Sequence, residues 1–180
     1  SVNNGKVDVN VVTSDGSVFS GKNYPVNVGG ISGGAPADAS GATGADIVEC
    51  VNNGAINCVS YCKGTRPTCG GIVGYPGFED PSQTNQITRC ENKGEMKVVS
   101  HDLMRAGGIS GGSSNVTYCK NTGTIIGGIT VEDGNIGGII GWLDKGHKFE
   151  YNESYCTLSN TRAPGTSGTS EVGGLIGQHG

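Results

Sequence analysis

The chain has 180 residues, 34 of them Gly, with 16 % charged side chains and a formal net charge of −4. Without Pro enrichment or a three-residue period, this Gly content argues against collagen, and glycines that recur in register with Ile, Val and Leu argue against a flexible linker. Lys and Arg are scattered without a basic patch, which argues against nucleic acid as a partner, and the longest apolar run, 136–143, is too short to span a bilayer.

Two motifs alternate along the chain. The first reads Cys-x-Asn-x-Gly-x-aliphatic. It appears as Ser1-Val2-Asn3-Asn4-Gly5-Lys6-Val7, with Ser in place of Cys, then from Cys50 to Ile56, Cys90 to Met96 and Cys119 to Ile125. A degenerate copy is read from Cys156, with Leu158 where Asn would stand. The motif positions all share one parity, and a period of two predicts a strand with one buried face. The second motif is Gly-Gly-aliphatic-x-Gly, starting at Gly29, Gly70, Gly107, Gly137 and Gly173. The apolar or small residue before it and the aliphatic within it stand three apart. A bend at Gly-Gly is therefore predicted, so that both point inward. Variable loops are expected in the Pro- and Gly-containing stretches 35–44, 75–81 and 163–170.

Repetition of this kind predicts an all-β chain: a single β-solenoid (β-helix) domain over 1–180, of about five coils with variable loops between strands. Coils stacked at strand spacing, about 4.8 Å, turn equivalent residues into columns. Asn3, Asn52, Asn92 and Asn121 are expected to form an inward amide ladder, each bonding its neighbour and a turn backbone.

The seven cysteines are Cys50, Cys58, Cys62, Cys69, Cys90, Cys119 and Cys156, all disulfide candidates. Cys50, Cys90, Cys119 and Cys156 are read as a second column. There, Cys50–Cys90 and Cys119–Cys156 bridges compete with buried thiols, and thiols are favoured slightly. One bridge is expected among Cys58, Cys62 and Cys69. Two sequons, at Asn115 and Asn152, sit four residues before Cys119 and Cys156, and are read as glycosylation positions on one edge competing with chance. Cysteines and sequons together favour an extracellular or cell-surface setting. His101 beside Asp102, and Asp144 near His147, are read as solvated surface rather than acid–base pairs. Neither a metal site nor a cofactor is expected.

Together the two motifs resemble GLUG-motif repeats over nearly the whole chain. The resemblance implies a kinship with bacterial surface adhesins and with the non-catalytic regions of immunoglobulin A peptidases. It brings no catalytic residues, and no His-Glu-x-x-His is present.

The chain opens with one half-repeat and closes with the other, starting at Ser rather than Met. It therefore reads either as a window of a longer array or as a protomer stacking end to end. The function expected is extracellular, structural and adhesive, part of a surface stalk or filament, and non-catalytic. Its partners would be further copies and surface glycans or host-surface molecules. The competing expectation is a carbohydrate-binding or carbohydrate-active β-helix protein.

Overall fold

A computed structural model describes residues 1–11, 24–34, 46–76, 86–129, 133–162 and 168–180. The predicted loops 35–44, 75–81 and 163–170 lie largely outside these residues. The described residues form strands and no helix, and every strand pairing is parallel. The sheets are stacked in register, as in a solenoid.

One sheet stacks Val2–Asn3, Val51–Asn52, Glu91–Asn92, Lys120–Asn121 and Glu153–Ser154. A second stacks Val7–Val11, Ile56–Ser60, Met96–Ser100, Ile125–Ile129 and Leu158–Arg162. The third stacks Tyr24–Gly29, Thr65–Gly70, Met104–Gly107, Gly134–Gly137 and Ser170–Gly173. After the Gly-Gly corner, Ser32–Gly34 pairs with Val73–Tyr75, and Ile140–Leu143 with Ile176–His179. Bridges from Ser110 to Val73 and to Ile140 join the two pairs. A last sheet, Ile47–Val48, Gln86–Thr88, Asn115–Thr117 and Phe149–Glu150, precedes the Asn sheet in the four turns after the first.

The interior divides into two apolar lobes. Ile56, Cys58, Cys69, Met96, Val98, Met104, Ala106, Ile125 and Ile136 fill the first, with Val28. Ile72, Val73, Ile87, Ile109, Val116, Ile139 and Ile140 fill the second, with Cys50, Cys90 and Cys119. The Gly-Gly corner and the Asn column meet at the waist between them. The residue before Gly-Gly faces the first lobe and the aliphatic after it faces the second, so the corner serves both.

Close packing at the waist explains the three glycines of the motif. In the copy at Gly70, an added Cβ would lie 1.9 Å from the Val73 carbonyl oxygen. At Gly71 it would lie 2.1 Å from the Gly108 oxygen and 2.4 Å from Asn92 Cγ. At Gly74 it would lie 2.5 Å from the Val28 nitrogen, on the back of the preceding strand. Backbone meets backbone in all three places, which only Gly permits.

The turn into the Asn sheet is made by one residue in the left-handed region: Glu49 (φ 53°), Arg89 (52°), Tyr118 (55°) and Tyr151 (55°). This costs a non-Gly residue about 1–2 kcal/mol. Neighbours offset it from outside: Arg89 pairs with Glu49 at 2.9 Å, and Tyr118 stacks on Tyr151 at 4.7 Å between ring centroids.

Candidate functional site: interior columns and an outer cleft

Asn3 Nδ2 donates to Asn52 Oδ1 at 2.7 Å, Asn52 Nδ2 to Asn92 Oδ1 at 2.8 Å, and Asn92 Nδ2 to Asn121 Oδ1 at 2.8 Å. Asn52 and Asn92 also donate to the carbonyls of Gly54 and Gly94, while Asn121 donates to that of Gly138 across the waist. Asn52, Asn92 and Asn121 are fully buried. Asn52 and Asn92 thus have both donors and the acceptor engaged, as a buried amide requires.

The thiol column departs from the sequence reading. Cys50 N–H donates to Cys90 Sγ at 3.5 Å and Cys90 N–H to Cys119 Sγ at 3.4 Å, but Cys119 N–H donates to Asn152 Oδ1 at 2.9 Å. Lys120 pairs with Glu153, Asn121 with Ser154 and Ile125 with Leu158. Asn152 therefore takes the Cys place, Ser154 the Asn place and Leu158 the aliphatic place, which shifts the degenerate repeat four residues from the frame that began at Cys156. A Cys119–Cys156 bridge has no basis in this register, because Cys156 falls beside Gly123. Tyr151, the left-handed residue equivalent to Tyr118, marks the same frame.

The sequons consequently do not share a frame. Asn115 pairs with Gln86, is 7 % exposed and accepts the Lys148 N–H through Oδ1 at 2.7 Å. Asn152 accepts from Cys119 N–H, and its Nδ2 donates to the Val116 carbonyl at 2.8 Å. In the folded chain both side chains hydrogen-bond to neighbouring strands.

All seven cysteines are thiols here. Cys58 and Cys69 face each other across the first lobe. The hydrogen bond from Cys69 lowers the Cys58 pKa against the effect of burial, while Cys69 is raised. Cys62 stands apart, its thiol on the Val11 carbonyl at 3.3 Å. In the column, a hydrogen bond from Cys119 lowers the Cys90 pKa to about 7 against burial, and Cys119 is raised. Paired Cα atoms in a sheet, about 4.8 Å apart, lie inside disulfide range, and Cys90 stands beside Cys119 in this way, whereas Cys58 and Cys69 belong to different sheets. Oxidised glutathione is therefore expected to form Cys90–Cys119 when local opening exposes the pair: the Cys90 thiolate displaces a glutathione thiolate, and Cys119 then displaces the second. The other five cysteines are expected to remain thiols, and the bridge adds about 2–4 kcal/mol of stability. Peptide mapping without reductant checks this; a Cys50–Cys90 bridge in place of Cys90–Cys119 refutes it.

Asp102, expected at the surface, is 4 % exposed. It accepts the Gly64 N–H and lies 2.5 Å from His101 Nδ1, tying one turn of chain to the next. Asp144 is likewise committed, accepting from Trp142 Nε1 at 2.6 Å and from Ser113 Oγ at 2.8 Å. Neither ring nitrogen of His147 has a hydrogen-bond partner. Burial lowers its pKa, and the Asp144 charge opposes this only partly. A base depressed in the folded state binds more protons when unfolded, so it weakens the fold as pH falls below its unfolded value of about 6.5. The melting temperature is expected to drop between pH 7.5 and 5.5, with a shallower slope in His147→Gln; an unchanged slope rejects this assignment.

Outside the waist, Tyr75 and Trp142, each directly after the last Gly of its motif, lie beside side chains of the third sheet. There Arg66, Tyr75, Arg105, Trp142 and Asp144 line a cleft of about 250 Å³. The Arg105 guanidinium lies 4.2 Å from the centre of the Trp142 ring, and Arg66 Nε is buried with no hydrogen-bond partner. Sequence reading missed this cleft. Its signal was the only Trp of the chain, placed directly after Gly141 where Tyr75 follows Gly74. Among the described residues, no cluster of His, Cys, Asp and Glu could hold a metal ion.

No known protein family, no curated protein and no solved structure matches this chain.

Proposed function

We propose that the chain is an extracellular or cell-surface structural and adhesive protein: a solenoid of five coils forming part of a stalk or filament, without catalysis. The GLUG-type reading of its motifs belongs to this proposal. The observation that carries it is the Asn column, in which identical side chains bond directly to one another along the stacking direction. Each coil is a template for the next, so the arrangement has no inherent length.

The outer coils offer matching edges. Val2 is 61 % exposed at one, Val172 48 % and Leu175 40 % at the other, where a Cβ at Gly174 would meet nothing within 4 Å. In this proposal further coils, of the same chain or another copy, cover both. Sedimentation velocity over a range of concentrations tests the version with another copy. The 180-residue chain is expected to form end-to-end oligomers, and Gly174→Ala, whose methyl stands where the next backbone must approach, to remain a folded monomer. A wild-type chain that stays monomeric at every concentration refutes end-to-end stacking, and turnover of an acidic polysaccharide refutes the non-catalytic reading.

A further inference from the structure

We propose that the outer cleft binds one residue of an acidic saccharide, with the sugar carboxylate on Arg66 and a hydroxyl on Asp144. Two guanidinium groups and one carboxylate line the cleft. Arg66 brings a buried Nε that makes no hydrogen bond, a group that costs free energy until an acceptor reaches it. A planar guanidinium matches a carboxylate through two parallel hydrogen bonds.

The other walls narrow the ligand class. Asp144 is held by Trp142 Nε1 and Ser113 Oγ, so its carboxylate is fixed in orientation and retains lone pairs for a hydroxyl donor. It would repel the second charge of a phosphate, whereas a monocarboxylate leaves the cleft balanced. Tyr75 and Trp142 supply the flat apolar edges on which a sugar ring rests. At about 250 Å³ the cleft is smaller than drug-sized sites, which matches a single ring. Parallel stacking keeps the cleft on the side of the coils, open to a polymer running past. This site does not depend on end-to-end assembly, and either reading can fail alone.

The chain carries its own reporter, since its only Trp is Trp142. Tryptophan fluorescence is titrated with tri-galacturonate, with the neutral galactose trisaccharide and with inorganic phosphate. A saturable change with tri-galacturonate alone is expected. Arg66→Gln is expected to weaken it about tenfold or more at an unchanged melting temperature, and Arg66→Lys, which keeps the charge but loses the fork, to fall between. No saturable change, an equal response to the neutral sugar, saturation by phosphate alone, or an unaltered affinity in Arg66→Gln would each overturn the assignment.

Discussion

Gly71→Ala is expected to abolish the cooperative fold, and the same change at Gly174, the equivalent position of the last motif copy, to leave it intact. The Gly71 Cβ would lie 2.1 Å from the Gly108 carbonyl oxygen and 2.4 Å from Asn92 Cγ. Both obstacles belong to the waist, one of them to the backbone of the next turn, so no rotamer change relieves the contact. Relief requires the coils to separate, which breaks the Asn92 bonds and the Ile72 N–H to Ile109 carbonyl bond at 3.1 Å. A cost above about 4 kcal/mol is expected, comparable to the whole stability of many domains. Gly174 has no atom within 4 Å of its added Cβ. Neither position has a left-handed φ, so the contrast isolates packing from backbone strain. Urea unfolding followed by circular dichroism measures it. Stability of Gly71→Ala within about 1 kcal/mol of wild type, or equal damage from both changes, would defeat the account of the waist.

The parts of the fold legible in the sequence were those in which one residue type does one job in every turn. Asn at the ladder position has no apolar substitute, and Gly at the corner has no larger one, so both motifs stayed visible across variable loops. The last repeat was misread because the thiol position is more permissive. What that column needs is an acceptor for the N–H of the preceding turn, and Asn152 Oδ1 serves Cys119 as Cys119 Sγ serves Cys90. Following the Cys led to Cys156, whereas Leu158, pairing with Ile125, held the true frame. The three-residue sequon pattern does not encode which way a side chain points, so the hydrogen bonds of Asn115 and Asn152 to neighbouring strands were not legible in it. The cleft was illegible for a different reason: Arg66 and Tyr75 come to Arg105 and Trp142 only once the chain has doubled back at successive corners.

The Asn column also explains why two apolar lobes coexist with a polar waist. A solenoid held only by Ile and Val columns has little to stop one coil sliding along the strand direction, since neighbouring aliphatics are nearly equivalent. The amide bonds form in one register only, and a slip by one residue would turn Asn92 outward. Asn92→Ala is expected to cost about 3 kcal/mol, because it opens a void at the waist and removes bonds to Asn52, Asn121 and the Gly94 carbonyl. Asn52 Nδ2 keeps Gly54 and Asn121 Oδ1 keeps the Gly123 N–H, so the damage stays local. Asn3→Ala, at the half-exposed end of the column, removes one inter-coil bond and is expected to cost less than about 1 kcal/mol. Asn92→Asp is the sharper test. Its carboxylate would face Asn121 Oδ1 and the Gly94 carbonyl, both acceptors, so burial and repulsion raise its folded pKa above the unfolded value. Stability would then be highest when the acid is protonated and fall as pH rises from about 4 toward neutrality, whereas Asn92→Ala lacks this slope. Chemical unfolding at pH 4.5 and pH 7 separates the cases. An Asn92→Asp chain as stable at pH 7 as at pH 4.5 would mean that the column does not set the register.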